Sequence, residues 1–294
     1  MTTDKIIPDR YKGILLIIAS AFCFAFMNAF VRLAGDLPAI EKSFFRNFVA
    51  VFFALGILLK KRTPLPKTKG DYGYLFLRAS TGTLGIICNF YAIGKLDLAD
   101  ASMLNKMSPF FVLLFSYVLL KESLTLFQAG AVCVAFAGCL FILRPSLHNV
   151  EFIPACIGLT GGICAGFAYT MVRKLGNRGV AGPFIVFFFS AFSCIATLPY
   201  LVLRFVPMSA TQLLYLLGAG LAATGGQFTI TAAYCYAPAR EISVYDYSQI
   251  IFAAVLGFFL FEQIPDLFSF IGYFIICSTA VVMFFYNNRK QKNT

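Results

Sequence analysis

Charge is what this sequence has least of. Only 13% of its 294 residues are Asp, Glu, Lys or Arg, where a soluble domain carries about a quarter, so too little polar surface exists to face water on all sides. Histidine occurs once, at His148, with no neighbouring ligand, which argues against a zinc site. No H-E-x-x-H, no Ser/His/Asp set and no acidic metal cluster is present, so an embedded enzyme finds no catalytic set here. Cysteine is not scarce, but C-x-x-C spacing is absent. Cys23, Cys88, Cys133, Cys139, Cys156, Cys164, Cys194, Cys235 and Cys277 all lie in apolar runs, as small packing residues and not as a disulfide or metal framework. No cofactor and no metal is expected.

What the chain has instead is apolar length. Hydrophobic residues make up 60% of it and the mean hydropathy is +0.81, which suits a polytopic membrane protein built from runs of about 20 residues, the length a bilayer core demands. Ten runs qualify: Gly13 to Ala34, Ser43 to Leu59, Tyr72 to Gly94, Leu98 to Leu120, Leu126 to Leu143, Phe152 to Val172, Val180 to Phe205, Gln212 to Tyr236, Ile242 to Phe261 and Leu267 to Tyr286. The first is too long for a signal-peptide core and no cleavage site follows it, so it counts as a span. Net charge is +11, yet the basic residues sit between apolar runs and not along one face. Membrane topology explains them, and no nucleic-acid partner is expected. Sixteen Lys and Arg fall in the loops of one side against Lys42, Lys95, Arg144 and Arg204 on the other. Positive loops stay inside, so both termini are expected in the cytoplasm of a multi-pass cell-membrane protein.

The chain also contains itself twice. At an offset of 140 residues, Leu96 to Glu122 lies over Tyr236 to Glu262, with Ser108 on Ser248, Leu120 on Leu260 and Glu122 on Glu262. Five spans per copy is an odd number, so the second copy enters the membrane from the opposite face. The expected fold class is therefore all-α, with ten transmembrane helices as two inverted-topology five-helix repeats. A cytoplasmic tail (1–12), the first repeat (13–143), an external linker (144–151), the second repeat (152–286) and a second cytoplasmic tail (287–294) complete the organisation. Gly158, Gly162 and Gly166 form a double G-x-x-x-G row for close packing, and Gly85 matches Gly225 at the same offset.

Under that offset Lys106 falls on Asp246. A charge inside a span costs several kcal/mol, roughly 3 on insertion scales, so two at matched positions mark the centre of a site. Ser102, Asn105, Lys106 and Pro109 share one face of the fourth span, and Tyr245, Asp246 and Gln249 repeat the device on the ninth. Pro109 removes a backbone donor and frees a carbonyl near Asn105, which predicts a local bend. Three readings of Lys106 and Asp246 stay open and are not exclusive: a structural ion pair, a Lys106 that extends to the outer interface with its tip in water, and a cavity lining that binds substrate charge or a proton. The next polar candidates are Ser20 and Asn28 on the first span, Asn89 and Tyr91 on the third, and Gln227 and Tyr234 on the eighth. Interhelical hydrogen bonding is the plainer role for each. Arg46 is expected near an outer helix end, meeting headgroups or guarding an entrance, and Arg32 and Arg78 read as interfacial anchors. Glu122 and Glu262 end their helices and read as braces.

These residues resemble a known family. The two copies ending in PFFVLLFSYVLLKE (Pro109 to Glu122) and QIIFAAVLGFFLFEQIPD (Gln249 to Asp266), with SFFRN at Ser43 to Asn47, are similar to the EamA-type branch of the drug/metabolite transporter superfamily. The resemblance implies five plus five inverted helices, a central cavity lined by the first, third and fourth spans with their counterparts, and alternating access. SFFRN and VYDYSQ look more like the subgroup with riboflavin and S-adenosylmethionine carriers than like nucleotide-sugar exchangers. The expected function is secondary active or facilitative transport of a small organic metabolite, zwitterionic or polar, whose ring portion Tyr245 and Tyr247 would hold. A non-transporting scaffold or signalling protein is the alternative. Proton or ion coupling through Asp246, and a homodimer, stay open.

Overall fold

Lipid offers backbone N–H and C=O groups no partner, and this chain answers with helices throughout. The computed structural model describes residues 9–61, 65–66, 68–121, 125–143, 152–237 and 242–292, and no strand occurs among them. The first half comprises α1 (Asp9–Leu33), α2 (Ala39–Lys61), α3 (Lys69–Ile93), α4 (Leu98–Asn105), α5 (Ser108–Leu120) and α6 (Leu126–Leu143). The second comprises α7 (Phe152–Asn177), α8 (Gly182–Arg204), α9 (Ala210–Tyr236), a 3-10 turn (Ser243–Tyr247), α10 (Ser248–Phe261) and α11 (Leu267–Lys292). The described residues contain seven helices long and apolar enough to cross a membrane, with α4 and α5 counted as one. Leu126–Gly138 and Tyr245–Phe261 are apolar but shorter, and in α3 the apolar run is diluted by Arg78 and Asn89.

The fourth span of each half is broken. Lys106 ends α4 and Met107 turns back in a tight bond from its N–H to the Leu104 carbonyl, 3.2 Å. Pro109, second residue of α5, has no N–H to lose there, so the predicted bend falls where the proline tolerates it. The ninth span has no proline, and its break at Ser243–Tyr247 replaces the continuous helix expected from Ile242. Both broken spans then end alike, on Lys121 and Glu262 in the left-handed conformation with φ of 56° and 54°. Glu122 lies outside the described residues.

The duplication is legible in how helices pair. Helix α1 packs on α9 while α3 packs on α7, α2 packs on α8, and α6 packs on α11; exchanging the halves maps this set onto itself. Glycines allow the closest approaches. A Cβ on Gly85 would stand 3.2 Å from the Gly161 carbonyl oxygen, and one on Gly225 would stand 3.1 Å from Cys23 Sγ, so the matched pair occupies equivalent crossings. Gly162 and Gly166 seat the broken span itself: added Cβ atoms would meet the Leu104 oxygen at 2.6 Å and Phe111 Cβ at 2.5 Å. That row does more than pack two straight helices, because only a missing side chain lets the turn at Lys106 lie against α7.

Capping boxes set the starts of the third and eighth spans. On α9, Ser209 Oγ accepts from the Gln212 N–H at 3.2 Å and Gln212 Oε1 accepts from the Ser209 N–H at 2.9 Å. Ahead of α3, the Thr68 N–H donates to Asp71 Oδ2 at 3.3 Å. Each box also grips the helix packed beside it. Gln212 Nε2 donates to the Ala34 carbonyl at the end of α1 (3.1 Å), and Asp71 accepts from Arg178 at the end of α7.

Candidate functional site

Between the halves, at the depth of the two helix breaks, lies a cavity of about 60 Å³. Asn28, Arg46, Asn89, Asn105, Lys106, Gln227 and Gln249 reach it, together with Arg78, Tyr169 and Phe189. A water needs about 10–15 Å³ on this measure, so the space holds a few waters, far less than the several hundred Å³ of a metabolite pocket. A solute of metabolite size does not fit the cavity in this arrangement of the helices.

Lys106 Nζ stands 2.7 Å from Asp246 Oδ1, with the two side chains 3% and 1% exposed. Each is delivered by the break in its own span, since a 3-10 turn and a helix end leave the local side chains free to point along the bundle. The pair joins the two repeats at their centre. Asp246 lies outside the cavity lining, and among the described residues its carboxylate accepts no hydrogen bond beyond the Lys106 contact. Removing water from such a pair costs several kcal/mol per ion, and the charges offset this only while both remain.

The other expected residues divide into those that meet at the cavity and those held away. Ser102 is buried behind it and accepts a hydrogen bond from Asn28 Nδ2 at 3.3 Å. Tyr245 packs edge-on against Phe284, centroids 5.3 Å apart, and Tyr247 tilts against Phe110 at 5.8 Å. Neither ring lines the cavity. Tyr91 is 38% exposed in an apolar surface groove with Ile87, Ile157 and Tyr200. Pro109 is buried at the start of α5. Ser20 is buried, and Tyr234 stacks on Tyr169 at 5.3 Å with planes 16° apart.

The arginines are where the expectations need correcting. Arg78 is no interfacial anchor: it is 2% exposed, lines the cavity and lies 4.0 Å over the Phe189 ring. Because α3 starts at Lys69, three residues earlier than its apolar run suggests, Arg78 sits about 14 Å into the helix at ~1.5 Å per residue. The T-K-G-D box at Thr68 to Asp71 was the signal that places that start. Arg46 is likewise deeper than its expected outer position, since α2 begins at Ala39; its Nη1 donates to Asn47 Oδ1 at 2.6 Å and its Nη2 reaches Gln227 Oε1 at 3.4 Å. Arg32 keeps a helix-end position, in the last turn of α1 and half-buried. It donates to the carbonyls of Ile93 (3.2 Å) and Leu96 (2.5 Å) and lies 5.3 Å over Phe261, bracing three spans. Tyr169 and Phe189 carried no sequence signal at all, being aromatic residues among many.

On the face where α3 begins, Asp71 accepts from Arg178, whose Nη2 also donates to Thr68 Oγ1 at 3.0 Å. The Arg178 hydrogen bond, then that of Thr68, holds the Asp71 carboxyl below its ordinary range. Lys174 stands 4.3 Å over the neighbouring Tyr74 ring.

A helical bundle of two inverted five-span repeats, closed on a polar cavity at mid-depth, is the architecture of a membrane transporter. Comparison with known sequences bears this out: residues 11–144 and 152–285 each match the EamA-like transporter family, and the chain belongs to it. The pseudopaline exporter CntI of Pseudomonas aeruginosa is 32% identical over 274 residues, covering 92% of this chain and 95% of that one. A Helicobacter pylori protein described as an uncharacterized transporter is 28% identical over 92% of this chain and 94% of its own length. Solute carrier family 35 member G1 of Mus musculus is 27% identical, over 88% of this chain and 74% of its own. A solved crystal structure superposes with a TM-score of 0.69 at 14% identity, covering 95% of this chain and 98% of the other, and shows the shared fold.

Proposed function

We propose that this membrane transporter is an alternating-access carrier of a small polar organic metabolite, working in the cell membrane with both termini in the cytoplasm. The observation that supports it best is the Lys106–Asp246 contact at twin helix breaks, beside a polar cavity to which both repeats contribute. A pair of this kind resists being opened with either charge left alone. Substrate groups that replace a lost partner lower that cost, so the empty protein favours the closed arrangement and the loaded protein crosses between faces. Asn28, Asn89, Asn105, Gln227 and Gln249 supply the hydrogen bonds of the site. The relative named as an exporter supports outward movement for this chain too.

Reconstituted vesicles test the mechanism. A carrier preloaded with its substrate accelerates uptake of the labelled form, and uptake without that counterflow stimulation would point to a channel. Cysteines introduced at Gly70 and Thr211, at the starts of α3 and α9, should react with impermeant maleimide from opposite sides, the inside for the first and the outside for the second, against a background lacking native thiols. Reaction of both from one side would sink the inverted arrangement.

A further inference from the structure

We infer that the cavity takes an organic anion, its carboxylate or phosphate group gripped by Arg46 and Arg78; this rests on the carrier reading above and names the substrate class of the same site. Among the described residues three cations line the cavity and no acidic residue does. Lys106 is already matched by Asp246. Arg46 and Arg78, both 2% exposed, have no carboxylate partner among the described residues, and the Nε of each is buried without an acceptor.

Their setting preserves the charge for a ligand. Arg78 lies 4.0 Å and Arg46 5.6 Å from the centroid of one ring, Phe189, and an aromatic face supports a guanidinium without consuming its in-plane N–H donors. Gly82 clears the space: a Cβ there would stand 2.1 Å from Arg78 Nη1. Arg46 donates one N–H to Asn47 Oδ1 and one to Gln227 Oε1, which leaves its other N–H groups and those of Arg78 as the donors for carboxylate or phosphate oxygens, the partners guanidinium groups bind most strongly. Asn89 Oδ1, Asn28 Oδ1 and Gln249 Oε1 are buried acceptors without donors, so the anion they suit also carries hydroxyl or amine hydrogens. A neutral or cationic solute would enter and leave both guanidiniums uncompensated in a low-dielectric site.

The test uses full-length protein in detergent, followed by thermal unfolding with millimolar succinate, glycerol 3-phosphate, glucose or choline. Succinate or glycerol 3-phosphate should raise Tm, the stronger of the two identifying the acidic group, and glucose and choline should not. Arg46→Gln and Arg78→Gln should each weaken the stabilising anion at least tenfold, with Arg78→Lys between the glutamine variant and the native protein. Stabilisation by choline or glucose and not by the anions would overturn the inference while leaving a carrier, as would anion binding unchanged in both glutamine variants. Failure of all four probes on the native protein would also overturn it, and needs no variant to fold. Uptake of the labelled anion into reconstituted vesicles separates the two claims: anion binding that follows Arg46 and Arg78 with no labelled anion carried across would remove the carrier and keep the site.

Discussion

The two repeats agree in backbone and disagree in charge. Both break their fourth span at matched positions, both finish it on a left-handed residue, and both start their third span with a capping box. The cavity's cations among the described residues, however, all come from the first half, as Arg46, Arg78 and Lys106, while the second contributes neutral Gln227 and Gln249 to the lining and keeps Asp246 outside it. Duplication therefore preserved the device that opens the helix and left the electrostatics free to diverge. The same holds at the two clasps, ionic between Asp71 and Arg178 and amide to carbonyl between Gln212 and Ala34.

The largest test of this asymmetry is the central pair. Lys106→Ala leaves Asp246 buried alone and should cost about 3–5 kcal/mol, with transport lost. The double variant Lys106→Ala/Asp246→Ala should recover most of that stability in thermal unfolding and none of the uptake. Recovery of uptake as well would reduce the pair to a structural joint.

A smaller effect is expected where the halves seat their broken spans differently. Gly162→Val places side-chain atoms against the Leu104 carbonyl, and overpacking of this order costs about 1–3 kcal/mol. At the equivalent offset α1 carries Phe22, which meets Phe252 edge-on at 5.4 Å and is 48% exposed. Phe22→Ala should move Tm less than Gly162→Val, and the reverse order would show that the glycine row is not what holds the break.

The smallest effect concerns the clasps. Asp71 has a depressed carboxyl pKa, so its contribution is present above the unfolded value of about 3.9 and lost as pH falls through the folded one. The Tm gap between native protein and Asp71→Asn should be small at pH 7, shrink in high salt, and decline progressively as pH falls below about 4. Gln212→Ala should show a gap that neither pH nor salt moves.

The spans, the duplication and the matched placement of Lys106 and Asp246 were legible before any coordinates, and so was the bend announced by Pro109; that the two charges meet in a direct pair was not. The ninth span's break was not, because a 3-10 turn without proline leaves no local mark. Arg78 was misread for a related reason. Hydropathy locates where a span is apolar and not where its helix starts, and three extra residues at the start of α3, nearly a turn, set the guanidinium deeper than the apolar run suggests. Tyr245 and Tyr247 were assigned to the cavity by adjacency to Asp246, but neighbours in a tight turn point different ways, and both rings went to packing.

What the sequence alone decided is the number of spans, their inverted duplication and the cost of the charges within them, because apolar length, repeat parity and desolvation depend only on which residues follow one another. Which polar faces meet was left to tertiary structure. A helix presents its residues at set angles about its own axis, but the rotation of that axis against its neighbours comes from contacts such as Gly162 on the Leu104 carbonyl and Gly85 on Gly161. Those contacts bring Arg46 and Arg78 to the same ring.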